Sequence, residues 1–464
     1  MAPDERSIAF TAAATASDVV AVQQFFDRLP EAARARYRSL HVNPSIRLGW
    51  VPITVRGDRL SEHHQALVSL ICEPSPRLVL RTARPISGEL LMEALSGSVE
   101  YVRVEPIKGV PPLPRSRHID AQSYEARLPP TTFGSGLDLF RVGFSAFNLP
   151  PIMGNVVRLG GARRKTATAG RLVIASADWT IALDPTENLR ERVERARVRG
   201  GHLLSHAGVL MRADNLPFDS ADVDVVLGAL YWLLAFAMGR RCGPALPYGY
   251  RRDGHRAIWA DWRIRAVDSY RAPVGWFDLN DREGLNRLFP KFLDLWQQSG
   301  MRGLLVGIIS WYLAAQAPDP IEIAIPATQV ALETLAHVVP SHRAIDDKAL
   351  GGGQARNVAR MLKSLSIPIG IPATMTDLIS AAKPAEPWKH GPDAITRLRD
   401  DLVHPKAKYQ WNGEAMVDGW RLGLWYIEMA LLAWLGYDGT YNSRLEDNRS
   451  RGRVIRVPWE SEKR

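Results

Sequence analysis

The side chains in this sequence best suited to acting on a phosphodiester are arginine and histidine. A guanidinium offers a fixed fork of donors to phosphate oxygens, and an imidazole with an unperturbed pKa near 6.5 exchanges protons at neutral pH. Cleaving RNA by its own 2′-hydroxyl needs a base for that proton, an acid for the leaving oxygen and a cation near the phosphorane charge, with no metal. The pattern Arg-x-x-x-x-His occurs four times: Arg36/His41, Arg59/His64, Arg197/His202 and Arg399/His404. Spacing therefore does not select one. The second position separates them, being Tyr37, Leu60 and Val198 in three copies and the polar Asp400 only in the last.

The last copy also has the right setting. Asp393 stands near the start of a helical stretch, and Pro405 stops it directly after His404. At about 100° per residue, Asp400 and His404 share a helix face, with Arg399 about 140° round from His404. Asp400 is thus expected to hold the imidazole while the helix end turns Arg399 to the same cleft. One Arg and one His make half a site, so a homodimer with two copies facing across a twofold axis is expected. The plainer reading is a solvated Arg399–Asp400 ion pair, with His404 capping a helix C-terminus where a cation is favoured. Arg397, Lys406 and Lys408 flank the motif and can contact an RNA backbone, and Tyr409 and Trp411 can stack on bases.

Other candidates are weaker. His202 and His206 are four apart, but Gly200 and Gly201 before them favour strand or loop over a helical metal pair. No third ligand is near, so no metal or other cofactor is assigned. Gly351-Gly352-Gly353 precedes a helix without the strand and Gly-Lys-Ser/Thr of a phosphate loop, and reads as a hinge. Glu333, between Leu332 and Leu335, reads as a partly solvated helical residue that could face the cleft near His404.

These residues need elements to position them. A chain of 464 residues suggests two or three domains. With 46% apolar residues and 14 Trp, most of it should fold. Residues 1–150 read as mixed and mostly β after a helix around Asp18 to Leu40, with strands at Val51–Val55, Arg77–Leu80 and Val99–Val104 and loops at Leu113–Arg117 and Pro129-Pro130. Residues 151–300 read as an α+β domain, with strands at Leu172–Ile174, Trp179–Leu183 and Ile258–Trp262, a charged helix at Glu187–Arg199 and a helix capped by Asp219 or Ser220. Residues 301–464 are nearly all helical: Met301–Gln316, Ile321–Val338, Gln354–Leu365, Met375–Ala382, Asp393–Val403 and Glu414–Leu435, with Pro318, Pro340, Pro372, Pro387 and Pro405 between them. Such lengths and short links suit an up-and-down bundle. The expected fold is a multidomain α+β protein ending in an all-α bundle.

The net charge of +10 favours an anionic partner such as nucleic acid, although the basic residues are dispersed. Cys72 and Cys242 stand 170 positions apart, which suits neither a zinc site nor a disulfide framework and fits a reducing compartment. The N-terminus lacks a secretory pattern, and the most apolar run, Val225 to Met238, is 14 residues and reads as a buried helix rather than a membrane span. A cytoplasmic protein without a membrane partner is expected.

The segment Arg397 to Lys406, RLRDDLVHPK, resembles the last-but-one helix of bacterial HEPN proteins of the ApeA-like group, where Arg-Asn or Arg-Asp precedes His-Pro. The polar residue that sets the last Arg/His pair apart, Asp400, is what this resemblance implies at the second position. Thr328 to Ala336, TQVALETLA, resembles an early helix of that domain, and Trp425 to Leu445 its final helix with a Gly-Tyr-Asp-Gly exit. Upstream, Gly200 to His206 and Trp259 to Trp262 are similar to the middle domain of YopA-like chains. The resemblance implies a HEPN domain over residues 301–464 acting as a metal-independent endoribonuclease, in antiphage defence or abortive infection. It also implies an N-terminal region that senses a phage-derived trigger. Asp400 where Asn is commoner is a departure that bears on how His404 is oriented.

Overall fold

A computed structural model describes residues 41–463 apart from 57–58, 74, 84–86, 91–100, 105–118, 121–124, 128–131, 160–165, 253–256, 273, 282, 317–319, 344–352, 405–412 and 447–451. The helix expected around Asp18 to Leu40 and the loops at Leu113–Arg117 and Pro129-Pro130 lie outside the described residues. The chain is a mixed α/β protein, β-rich in its first two regions and helical in the third.

The first region forms a six-stranded sheet from β1 (Ser45–Arg56), β2 (Ser61–Ile71), β3 (Arg77–Thr82), β4 (Tyr101–Val104), β5 (Ile119–Asp120) and β6 (Glu125–Arg127), in the order β4-β1-β2-β3-β6-β5. β2 owes its place to alternation: Ala66, Val68 and Leu70 point inward while their neighbours stay partly exposed. With Val51, Ile53 and Val55 of β1 they pack against Phe147, Leu204, Leu246 and Trp262 of the second region. This contact joins the two sheets.

The second sheet comprises β7 (Thr132–Phe133), β8 (Arg141–Phe147), β9 (Asn155–Leu159), β10 (Thr166–Ala175), β11 (Trp179–Pro185), β12 (Leu204–Arg212), β13 (Gly243–Tyr250) and β14 (Trp259–Asp261). Its order is β7-β14-β13-β8-β12-β11-β10-β9, so it draws residues from both sides of position 151. β8, β11 and β12 are buried along most of their length, as strands covered on both faces must be. Helix α1 (Leu189–Arg199) links β11 to β12, and α2 (Ser220–Met238) links β12 to β13. Asp219 caps α2 through a reciprocal box, its carboxylate accepting from the Ala221 and Asp222 N–H groups while Asp222 accepts from the Asp219 N–H. Strand β13 carries Pro244 and Pro247, which hide it in the sequence; the register shifts between Ala245 and Tyr248, where Pro247 escapes the ladder.

Helix α3 (Gly284–Gln297), with Pro290 inside it, was not expected from the sequence. After it come α4 (Met301–Ala314), α5 (Ile321–His342), α6 (Gln354–Ser364), α7 (Thr376–Ser380), α8 (Gly391–Val403) and α9 (Gly413–Trp434). Pro340, expected between helices, lies in the last turn of α5, where it removes one donor without ending the helix. Helix α5 packs on α4, α6, α8 and α9, and α2 packs on α3 and α4. A single hydrophobic core therefore runs from Leu139 to Val457. A chain of rings, Trp276 on Phe236 (5.6 Å between centroids), Phe236 on Tyr312 (5.4 Å) and Trp276 on Tyr437 (5.3 Å), carries it from α2 into the C-terminal helices.

Among the described residues, two helices are long and apolar enough to cross a membrane by length and composition. One is α2, which at 19 residues exceeds the 14-residue run expected to be too short, and the other is α5. Most of each is buried, α2 against the sheet and neighbouring helices and α5 within the bundle, so both serve as core helices here.

Candidate active site

Helix α8 is built to hold its last turn in the open. His390 caps its start, the imidazole Nδ1 accepting from the Asp393 N–H at 3.1 Å, and the Asp393 carboxylate accepts in return from the Lys389 N–H at 3.0 Å. Burial lowers the His390 pKa, which keeps the ring neutral and able to accept. Ala394, Ile395 and Leu398 form the buried face. Leu398 seats in the gap left by Gly419 of α9, where a Cβ would stand 2.4 Å from its Cδ1. Thr396 turns towards α5, its hydroxyl 2.8 Å from the Pro392 carbonyl and 3.4 Å from the Gln329 side chain.

The opposite face carries the motif. Arg399 donates from Nη1 to Asp400 Oδ1 at 2.9 Å, with the two side chains 28% and 51% exposed. His404 is the C-cap: its N–H donates to the Asp400 carbonyl at 2.8 Å, closing the last turn. Its side chain is exposed, and among the described residues nothing hydrogen-bonds the imidazole. The expected partnership therefore differs: the Asp400 carboxylate holds Arg399, its own neighbour, and not His404. Adjacent positions on an exposed turn reach each other without help from the fold, whereas a carboxylate four residues from an imidazole at an uncoiling helix end does not. The solvated pair and the C-cap considered for this motif are both present. Arg399 keeps further donors for an anion, and the imidazole is open to solvent.

Arg397 is engaged within the protein. Its guanidinium lies 3.4 Å from Asp393 and 3.7 Å from Glu386, donates to the Glu386 carbonyl and sits 5.7 Å above the Trp388 ring. That arrangement braces the turn before α8 rather than presenting a free cation. Pro405, Lys406, Lys408, Tyr409 and Trp411 lie outside the described residues, as do Gly351 and Gly352, while Gly353 (φ 94°) precedes α6. Glu333 is half-buried and accepts from Gln329 at 2.8 Å, tied to the face of α5 that meets Thr396.

Of the other Arg/His pairs, Arg59/His64 and Arg197/His202 do not build such a turn. His64 sits in β2, 2.8 Å from Glu62, Arg197 pairs with Glu194 on α1, and Arg36 lies outside the described residues. His202 is buried before β12, its Nε2 3.3 Å from the Val267 carbonyl, and its N–H donates to Asn43 Oδ1 at 2.7 Å. His206 is in β12, fully enclosed, and burial with Arg192 nearby pushes it down to about 3. Neither is placed as a metal ligand, and among the described residues no three His, Cys, Asp or Glu side chains gather as a metal site would need. Cys72 and Cys242 are buried free thiols, each pushed up to about 12 by burial.

Sequence reasoning missed one polar cluster. Glu428 of α9 is wholly buried, and its Oε1 accepts from Tyr312 at 2.6 Å and from Arg444 at 2.8 Å. Arg444 also donates to Gln316 Oε1 at 2.8 Å and to the Val274 carbonyl, which lies in the loop before Trp276. A glutamate inside the apolar run WYIEMALLAW was the available signal.

Two regions of the chain are similar to known protein families. Residues 135–273 match the YopA central domain and residues 298–455 the YopA C-terminal domain. The likeness to YopA-like chains expected for the middle region thus extends through the C-terminal helices. The chain is 29% identical over 303 residues to the SPbeta prophage-derived uncharacterized protein YopA of Bacillus subtilis (strain 168), a match covering 63% of this chain and 67% of that protein. No solved structure matches.

Proposed function

We propose that the C-terminal helices form a HEPN-type domain that cleaves RNA without a metal, through Arg399 and His404. The observation that carries this reading is the last turn of α8: an exposed imidazole at the helix C-cap and a partly exposed guanidinium within one turn of it, on a helix whose start is braced by Asp393 and Arg397 and whose buried face is seated by Leu398. In this reading His404 moves the proton of the 2′-hydroxyl or of the leaving oxygen, and Arg399 stabilises charge on the phosphorane. Asp400 serves as the resting partner of Arg399, displaced when phosphate arrives. A second copy supplies the other half of the site across a twofold axis. The activity belongs to cytoplasmic antiphage defence or abortive infection, released by a phage-derived trigger acting on the first region. That setting extends the resemblance of the C-terminal segments to ApeA-like proteins.

A second reading has its own observation. Because Arg399 is already paired with Asp400, the helix end can be a surface of a non-catalytic HEPN scaffold or of a nucleic-acid-binding sensor. The discriminating experiment incubates purified protein, His404→Ala and Arg399→Ala with a mixed RNA substrate, with and without chelator and phage lysate, and measures oligomeric state alongside. The nuclease reading expects chelator-resistant cleavage that both substitutions abolish, in a dimer. Cleavage unchanged in either variant, or none by wild type under any trigger, overturns it.

A further inference from the structure

We propose that the middle region binds a free amino acid with an apolar side chain, in a cavity between α2 and the β13–β14 edge of the sheet. The cavity measures about 170 Å³. A water needs about 10–15 Å³ measured this way, so the space holds about 11–17 waters, enough for an amino acid the size of leucine or phenylalanine. Its lining is mixed: apolar side chains, Leu227 of α2 and Trp259 of β14 among them, share the walls with four charged ones, Asp224, Asp261, Arg263 and Arg265. Apolar walls with a few convergent polar groups are what small-molecule sites are made of.

The charges are arranged as an open pair and a support. Asp261 is used up: its Oδ1 accepts from the Arg263 N–H at 2.8 Å and its Oδ2 from Arg263 Nε at 2.7 Å, which fixes that guanidinium. Asp224 differs, because both guanidiniums converge on its Oδ1 alone, Arg265 at 2.8 Å and Arg263 at 3.4 Å. Among the described residues its Oδ2 accepts no hydrogen bond, and Arg265 donates only from Nη2. An open carboxylate oxygen and an open edge of a guanidinium therefore sit side by side, the complement of an ammonium beside a carboxylate. The ligand's carboxylate goes to Arg265, its ammonium to Asp224 Oδ2, and its side chain into the space between Leu227 and Trp259.

The test is calorimetric titration of the full chain with L-leucine and L-phenylalanine, and with two analogues of leucine that each lack one charge, N-acetyl-L-leucine and isoamylamine. Binding of at least one amino acid is expected, with each leucine analogue weaker by at least about tenfold, and with a similar loss in Asp224→Asn and Arg265→Met. Failure of both amino acids to bind at millimolar concentration overturns the proposal. So does equal binding of leucine and its two analogues, since an apolar hole alone would do that. The analogue arms use the wild-type protein and do not depend on either variant folding.

Discussion

Replacing Arg444 by methionine removes the one cation that, among the described residues, contacts the wholly buried Glu428. Arg444 is 6% exposed and Glu428 0%, so solvent screens little of their attraction. Burial works most strongly against the Arg444 charge, but Glu428 and Tyr312 together outweigh it and raise its pKa, while burial and then Glu428 raise that of Tyr312. Both shifts report the same negative charge held inside the helices. Breaking such a pair from one side costs about 3–5 kcal/mol, because the remaining ion is left uncompensated. The loss of donors to Gln316 and to the Val274 carbonyl falls within the same range. Arg444→Met/Glu428→Leu removes the stranded charge as well, and is expected to be about 2 kcal/mol more stable than Arg444→Met alone. Guanidinium denaturation followed by tryptophan fluorescence measures all three proteins against wild type. If Arg444→Met unfolds with less than about 1 kcal/mol lost, or the double variant is no more stable than the single, the buried charge is not what binds this corner together.

Three further outcomes are expected. Gly423→Ala on α9 would place a Cβ 2.3 Å from Thr328 Cγ2, and Thr328 is held by its hydroxyl bond to the Ala324 carbonyl, so the α5–α9 contact must open. Overpacking of about 1–3 kcal/mol, less about 1 kcal/mol of gained helix propensity, leaves a net loss of about 0–2 kcal/mol and predicts a lower denaturation midpoint; a raised one would contradict the packing. His206 sits near 3 in the fold against about 6.5 in an unfolded chain, so the unfolded state takes up the proton first. Its contribution is complete above about pH 6.5 and declines by about 1.4 kcal/mol per pH unit as pH falls towards 3; His206→Asn should flatten the loss between about pH 6.5 and 5, and parallel profiles would reject the assignment. Asp400→Asn removes an exposed pair worth about 0–1 kcal/mol, so stability should hold while RNA affinity rises in low salt; weaker RNA binding would show that Asp400 does more than occupy Arg399.

Much of the helical third was legible because its signals are local. The apolar spacing of α8, with Asp393 in its first turn and His404 at its end, states the helix without reference to any partner. Asp219 did the same for α2. Strands β8 and β13 were not legible: a run such as GPALPYGY becomes a strand only when β8 supplies the ladder and a register shift absorbs Pro247. Helix α3 was hidden in the same way by Pro290, whose cost is met by packing on α2, α4 and β10.

The same division runs through the candidate site. The sequence alone set Arg399, Asp400 and His404 apart from three other pairs of equal spacing, since residue type and helical setting are properties of a short segment. It did not determine which group Asp400 would hold, that Arg397 would be drawn to Asp393 and Trp388, or that Arg444 and Glu428 would meet from positions sixteen apart. Those outcomes depend on distances of a few ångströms between side chains brought together by packing, and Coulomb and hydrogen-bond energies change most steeply over that range.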